Sequence, residues 1–182
     1  MKSLVYLLLL SATMTLSACG GKSENQKDDT QLVMRDSTDA HGLQRMQVSR
    51  SERDITFKGK EYHAKISRTP DEELPPVVSE MGDTYVDNEI ALRLACGSEQ
   101  VFNMTFTKTN FATFVDEDFL AKSILEGIVY DKTTPQGIVF AASLCYPQTD
   151  MYIPLSITIS ANGKMTIEKV EVLEEGYAPD SL

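Results

Sequence analysis

The feature that most constrains this fold is a pair of alternating segments in the middle of the chain. Apolar side chains occupy every second position of residues 90–96 and again of residues 102–106. A period of two sends alternate side chains to opposite faces of a strand, so each segment predicts a strand with one buried face. Residues 97–100 between them have the composition of a turn. The two segments therefore predict an antiparallel hairpin whose apolar face supplies much of the core.

Further strands are predicted on both sides of this hairpin. Residues 55–57 and 61–68 flank a glycine-containing turn and alternate in the same way. Residues 137–145 are apolar on both faces and predict a central strand. Residues 152–160 and 164–173 flank an Asn-Gly dipeptide, which is typical of hairpin turns. The tail that follows, over residues 174–182, is expected to fray.

One helix is predicted from Asp116 to Gly127. Asp116 is placed to cap the helix, the acidic residues that follow favour the positive end of its dipole, and Gly127 is placed to end it. Phe119, Ile124 and Ile128 fall near one face at helical spacing. The fold class that follows is mainly β: an antiparallel sandwich or a strongly curved sheet of about seven strands, with one helix packed on it.

The N-terminal residues have the features of a secretory signal. Lys2 is followed by an apolar run over residues 4–10 that is too short to span a bilayer, and small residues precede Cys19. Residues 16–19, Leu-Ser-Ala-Cys, resemble the lipobox of bacterial lipoproteins. That resemblance implies removal of residues 1–18 and attachment of a diacylglyceryl group, usually with a third acyl chain, to Cys19. Each buried methylene adds about 0.8 kcal/mol of anchorage. The alternative is an ordinary signal peptide with a chance cysteine.

Residues 19–54 are predicted to form a flexible tether to a single β-rich domain over residues 55–182. Residues 20–29 are nearly devoid of apolar side chains and cannot bury enough surface to fold. Residues 43–48 are compatible with a helical turn or an edge strand. A tether of about 35 residues has an r.m.s. reach of roughly 30–35 Å, so the domain is expected to stand off the bilayer without a fixed orientation.

The formal net charge of −10 restricts the partners. Affinity for nucleic acid comes from Lys and Arg that neutralise phosphates, so an acidic chain predicts no nucleic-acid partner. Anionic lipid headgroups are disfavoured for the same reason, and attachment to the membrane is expected through the acyl chains on Cys19. No cofactor is expected beyond this lipid. An envelope protein or a glycan is the candidate partner.

Two cysteines remain once Cys19 carries lipid. Because the compartment is oxidising, a disulfide between Cys96 and Cys145 is one interpretation, and it would close a loop of about 50 residues. The other interpretation is two separate buried thiols, since free cysteine behaves as a small hydrophobic residue.

Few residues suggest catalysis. His41 falls in the tether and His63 on the exposed phase of a strand, so a histidine-rich metal site is excluded and a catalytic thiol would have only His63 as its base. The densest set of oxygen ligands is Asp83, Asp87, Asn88 and Glu89. Calcium prefers such ligands, but their spacing does not match an EF-hand loop, and a solvated turn is the favoured interpretation.

From His63 to about Gly163 the chain resembles a family of uncharacterised Bacteroidales lipoproteins that share a domain of unknown function. The resemblance is carried by residues 70–75 (Pro-Asp-Glu-Glu-Leu-Pro), 85–90 (Tyr-Val-Asp-Asn-Glu-Ile), 106–108 with Phe111, and 123–127 (Ser-Ile-Leu-Glu-Gly). That family carries no established activity, so the resemblance implies only a location and a fold type.

The predicted function is that of a lipoprotein of the outer membrane that serves as a non-catalytic binding or assembly module. The alternative is a small hydrolase or a calcium-dependent enzyme that uses residues 83–89. Residues 27–29, Lys-Asp-Asp, are similar to signals that send some Bacteroidales lipoproteins to the cell surface, but they lie further from Cys19. The periplasmic face and the cell surface are therefore both open.

Overall fold

The computed structural model describes residues 37–38 and 42–171. Its strands are β1 (Ser37–Thr38), β2 (Leu43–Arg45), β3 (Ser49–Phe57), β4 (Lys60–Pro70), β5 (Val77–Val78), β6 (Thr84–Tyr85), β7 (Asn88–Cys96), β8 (Glu99–Phe106), β9 (Ile124–Thr133), β10 (Ile138–Cys145), β11 (Tyr152–Ile159) and β12 (Met165–Lys169). Between β8 and β9 lie a 3-10 helix, η1 (Lys108–Phe111), and an α-helix, α1 (Glu117–Lys122).

Two antiparallel sheets of four strands make up most of the fold. The first main sheet has the order β3-β4-β7-β8 and the second has the order β12-β11-β10-β9. A small third sheet, β1-β2-β6-β5, is built from short strands and contains one parallel pair, β2 with β6. The predicted fold class, mainly β and sandwich-like, is confirmed.

The main sheets pack face to face because each has one apolar face. Along β7, Ile90, Leu92 and Leu94 are fully buried, and residues of the opposite phase are more exposed. On the second sheet Phe140, Leu144 and other inward residues complete the same core. The guanidinium of Arg53 on β3 lies 4.7 Å from the ring centroid of Tyr130 on β9, so a side chain from one edge strand reaches the edge strand of the other sheet.

The sandwich has two different ends. At the hairpin end, four turns close the hairpins β3–β4, β7–β8, β9–β10 and β11–β12, at residues 58–59, 97–98, 134–137 and 160–164. At the opposite end, called the small-sheet end, lie the small sheet, η1, α1 and the long connections. This asymmetry follows from the topology, since β8 ends there and β9 starts there.

The hairpins were predictable from local signals. The alternating hairpin forms as β7 and β8 with a tight turn at Gly97, and the Asn-Gly dipeptide lies in the turn between β11 and β12. Residues 138–145 form β10, an inner strand, as expected. The strand β9 was missed, and with the small sheet it raises the number of strands above the predicted seven.

The predicted helix is correct at its start and wrong at its end. Asp116 caps α1, and its Oδ1 accepts a hydrogen bond of 2.8 Å from the Phe119 backbone N–H. The helix ends at Lys122, because Ser123 is extended and the chain enters β9. Gly127 is therefore a strand residue opposite Ser143. The helix lies at the small-sheet end of the sandwich, where it contacts β5, and Phe119 is its buried residue.

The ordered domain also starts earlier than predicted. Strand β3 begins at Ser49, and the short strand β2 precedes it, so part of the predicted tether belongs to the fold. Of residues 43–48, predicted as a helical turn or an edge strand, Leu43–Arg45 form a strand, β2, but it is an inner strand of the small sheet between β1 and β6. Cys19, His41, the signal segment and the C-terminal tail lie outside the described residues.

Candidate functional site

A cluster of polar side chains, three of them buried and three partly buried, occupies the small-sheet end between the main sheets. It comprises Arg68, Asp87, Asn88, Lys108, Glu126 and Cys145, and is called the polar cluster below. Arg68, Asp87 and Asn88 are among the few polar residues in the described chain that are buried. Because burying a polar group is costly without a partner, their contacts show what the cluster does.

Asp87 joins the starts of two strands from different sheets. It lies immediately before β7 and is 1 % exposed. Its Oδ1 accepts the backbone N–H of Asn88 at 2.8 Å and that of Leu125, in β9, at 2.9 Å. Its Oδ2 lies 3.4 Å from Nζ of Lys108, which also donates to the Ser123 carbonyl at 2.9 Å. Both carboxylate oxygens therefore stabilise the connection between the main sheets.

Arg68 crosses the same gap from the end of β4. It takes the inward phase set by Tyr62, Ala64 and Ile66, and its guanidinium donates to the carbonyls of Glu126 at 2.5 Å and Gln47 at 3.1 Å. Burial lowers the pKa of this guanidinium, and the charge of Glu126 opposes that shift. The arginine thus holds together β4, β9 and the segment that leads into β3.

Asn88 completes this set of cross-sheet contacts. It is fully buried, and its Nδ2 donates to the Leu125 carbonyl at 2.9 Å and contacts Sδ of Met46 at 3.3 Å. Among the described residues, Oδ1 of Asn88 and Nε of Arg68 find no hydrogen-bond partner. The two side chains lie diagonally on the same face of the β4–β7 pair, since Arg68 is opposite Ile90.

Cys145 lies at the edge of the polar cluster and is a poor nucleophile. Burial, and then the negative charges of Glu126 and Asp87, raise the pKa of its thiol to about 12. Since the thiolate is the nucleophile, the protonated thiol at neutral pH is unreactive. Glu126 itself accepts a hydrogen bond of 2.9 Å from the Ser143 hydroxyl.

The disulfide interpretation is wrong for this fold. Both Cys96 and Cys145 are free. Cys96 is at the hairpin end of β7, whereas Cys145 is opposite Ile124 at the small-sheet end. A strand the length of β7 separates the two ends by roughly 25 Å at about 3.3 Å per residue. A disulfide requires Cα atoms within about 7 Å, so the second interpretation, two separate thiols, is the one that the structure supports.

The predicted calcium ligands do not converge on one point. Asp87 and Asn88 are used in the cross-sheet contacts above. Glu89 takes the opposite strand phase from Asn88, and Asp83 lies in the loop before β6, where its backbone bonds to Ser79. Across residues 42–171 no three histidine, cysteine or acidic side chains are grouped so that they would hold a metal. The calcium interpretation of this loop is therefore wrong, and so is its favoured alternative of a solvated turn for Asp87 and Asn88.

His63 lies where the alternation predicted, on the outer face of the first main sheet. Its Nδ1 contacts Oδ1 of Asp54 at 2.6 Å and its Nε2 contacts Oε2 of Glu52 at 3.2 Å. The hydrogen bond with Asp54 is the main reason that the pKa of His63 is raised, and Lys65 lowers the pKa of Glu52. His63 and Cys96 point to opposite faces of the sheet, so they do not form a catalytic pair.

Sequence reasoning missed Arg68, Lys108 and Glu126. A signal for Arg68 was present, because the period of two that buries Tyr62 and Ile66 also places Arg68 on the inward face. No local signal pairs Lys108 with Asp87, since the two are far apart along the chain and meet only through the packing of η1.

A shallow groove lies near the polar cluster at this end. It is lined by Val78, Ser79, Glu80, Lys122, Tyr146, Pro147 and Thr149. The ring of Tyr146 stacks on Phe119 with their centroids 4.5 Å apart, which fixes one wall. The polar groups in its lining are Glu80, Lys122 and the hydroxyls of Ser79, Tyr146 and Thr149, and the lining contains no histidine or cysteine.

The geometry defines a two-sheet β sandwich whose sheets are joined at one end by a buried polar cluster. A family model described as "Domain of unknown function (DUF4738)" matches residues 28–167, and the chain belongs to this family. A search of curated proteins found no match. Within the described residues, no helix has the length and apolar character needed to cross a bilayer.

Proposed function

We propose that this protein is a lipoprotein of the outer membrane, held at the periplasmic face or the cell surface, in which the β sandwich is a non-catalytic binding or assembly module. The anchoring part rests on one observation, the stretch Leu-Ser-Ala-Cys at residues 16–19 after a charged start and a short apolar run. Cys19 is the residue that would carry the acyl chains, and the membrane is the first partner.

The chemistry of the polar cluster supports a module rather than an enzyme. Asp87 has both oxygens occupied by N–H groups and Lys108, and the Cys145 thiol is protonated at neutral pH. An active site needs a base within reach of a nucleophile or substrate. These groups instead join strands, so we assign them to the stability of the scaffold. The ligand of the module is an envelope protein or a glycan.

Cell fractionation with a Cys19→Ser variant tests the anchor. The wild-type protein is expected to pellet with membranes and to incorporate labelled fatty acid, whereas the variant is expected to lose both properties and to keep its signal segment. Cys96→Ser is the matched control, because it removes a thiol of the folded domain and should leave fractionation unchanged. A Cys19→Ser protein that pellets with membranes at the processed size contradicts the proposal.

Protease treatment of intact cells, followed by crosslinking and affinity capture, tests location and role. Digestion of the domain in intact cells indicates the cell surface, and protection until the outer membrane is opened indicates the periplasmic face. Crosslinks to one envelope protein or glycan, lost when the folded domain is deleted, support a binding module. Turnover of a substrate that Asp87→Asn abolishes without unfolding the protein contradicts the non-catalytic assignment.

A further inference from the structure

Exposed apolar side chains are concentrated at the small-sheet end. Seven large hydrophobic residues are exposed in the described chain, and five of them are at or beside this end: Val48, Val78, Met81, Met151 and Tyr152. Their exposed fractions are between 53 % and 78 %. The turns of the hairpin end carry none of the seven. A concentration of exposed apolar side chains is typical of surfaces that contact a protein partner or a membrane.

Four of these residues, called the apolar rim below, lie on two segments that line the same groove: Val78 and Met81 on one segment, and Met151 and Tyr152 on the other. Met81 is at the tip of a turn closed by the Gly82 N–H on the Ser79 carbonyl at 3.0 Å. The Ser79 hydroxyl reaches Oε1 of Gln148 at 3.5 Å, which joins this turn to the loop that bears Met151. The turn after β5 and the loop before β11, which carry or adjoin the four residues of the apolar rim, are therefore neighbours.

The chain that leads to Cys19 joins the domain at this same end. Strand β1 is the first described element, and it lies in the small sheet with β5, which carries Val78. The strand order of the small sheet is β1-β2-β6-β5, so β1 and β5 are three strand spacings apart. At about 4.8 Å for each spacing, the distance between them is roughly 15 Å. Residues 20–36 connect Cys19 to β1, and a fully extended chain of that length spans at most about 60 Å. A lipid on Cys19 thus keeps the apolar rim close to the bilayer.

We infer that the apolar rim docks directly on the bilayer that holds the acyl chains, so that the domain lies on the membrane with its small-sheet end facing the lipid. The inference rests on the proposed anchor at Cys19 and goes beyond it, because a tether alone leaves the orientation open. Tethering raises the effective concentration of the second contact to the millimolar range, so a weak apolar contact is sufficient.

The chemistry of the rim suits a zwitterionic interface. Methionine is flexible and adapts to irregular apolar surroundings, and tyrosine places its ring at the level of the headgroups with its hydroxyl in water. Glu80, Asp83 and Asp150 adjoin the rim in the chain, and Lys122 is the single cation lining the neighbouring groove. Anionic headgroups would be repelled, so the docking surface is phosphatidylethanolamine or phosphatidylcholine rather than an acidic lipid.

Two single-tryptophan variants of the lipidated full chain test this orientation, since the natural chain has no tryptophan. Met81→Trp reports on the apolar rim, and Ser98→Trp, in the β7–β8 turn, reports on the hairpin end. On vesicles of phosphatidylethanolamine and phosphatidylcholine, lipids brominated in their acyl chains should quench most of the Met81→Trp fluorescence and leave Ser98→Trp unchanged. Added phosphatidylglycerol, or a second change Met151→Asp, should reduce the quenching.

The outcomes separate the two proposals. One outcome is an intact mass that shows acyl chains, with a Met81→Trp emission maximum typical of water and no quenching by brominated lipid. This outcome overturns the docking and leaves the proposed anchor at Cys19 intact. A mass without acyl chains overturns both. Emission that shifts only when envelope proteins are added, and not with vesicles, overturns the bilayer as the occupant in favour of a protein partner.

Discussion

At the hairpin end, the chain reverses four times through turns of a few residues, and polar or small side chains face the solvent there. At the small-sheet end, the same two sheets are joined by long connections, two short helices and a third sheet, and charged side chains are buried between them. The two ends are therefore stabilised by different interactions. Local turn geometry stabilises the hairpin end, and polar contacts between residues far apart in the chain stabilise the small-sheet end. The difference also shows where the molecule has room for function, because loops on a rigid scaffold carry most binding sites.

The largest expected effect is the loss of the Asp87 carboxylate. Asp87→Ala leaves two buried backbone N–H groups without an acceptor and removes the carboxylate that faces Lys108, and we expect the free energy of unfolding to fall by about 3–5 kcal/mol. Urea denaturation of the Cys19→Ser protein measures this. Asp54→Ala is the matched control: this carboxylate is 80 % exposed and pairs with His63 on the outer face, so its loss should cost at most about 1 kcal/mol. If Asp87→Ala and Asp54→Ala lowered the free energy of unfolding equally, the small-sheet end would not depend on the polar cluster.

The next effect tests whether the hairpin end joins the two sheets by backbone packing. Gly163 has φ of +77°, and a Cβ added there would lie 2.3 Å from the carbonyl oxygen of Val101 in β8. Gly163→Ala therefore combines left-handed strain with displacement of an edge strand, and we expect a loss of about 2–3 kcal/mol.

Gly97→Ala is the control for that experiment, since Gly97 has φ of +58° and open space around its Cβ position. Only the conformational strain of about 1 kcal/mol should remain. A Gly163→Ala protein as stable as Gly97→Ala in thermal or urea unfolding would mean that the β11–β12 turn does not press on β8.

The two ends also differ in how much of them could be predicted. The hairpins follow from signals a few residues apart, such as the alternation around Leu92 and the Asn-Gly dipeptide at Gly163. The polar cluster depends on pairs like Asp87 and Lys108, whose partners come together only after both sheets form. Local patterns therefore predicted the core and the turns; they could place Arg68 on the inward face, but they could not predict which members of the polar cluster pair with one another.

The missed strand β9 is a second case in which a local sequence pattern gave the wrong prediction. Phe119, Ile124 and Ile128 have helical spacing, so a helix over all of them was a reasonable interpretation. The structure ends the helix at Lys122 and pairs the β-branched residues that follow with β10. Tertiary pairing outweighed local propensity, as is common where a segment can complete a sheet. The small sheet was missed because strands of two or three residues carry no periodicity.

The smallest expected effect concerns the two thiols, one near each end. Because the pKa of Cys145 is raised from 9.0 to about 12 by folding, the unfolded chain releases this proton first as the pH rises above 9. The native state then binds more protons than the unfolded state, so the free energy of unfolding falls as the pH rises above 9, by about 1 kcal/mol for each pH unit.

Urea midpoints measured from pH 8 to pH 10.5 in the Cys19→Ser protein report this slope of stability against pH. Cys145→Ala should flatten it, and Cys96→Ala, the same deletion at the hairpin end, should keep it. If both variants retain the full slope, Cys145 is not the group that couples alkaline pH to unfolding, and the burial assigned to the small-sheet end is overstated.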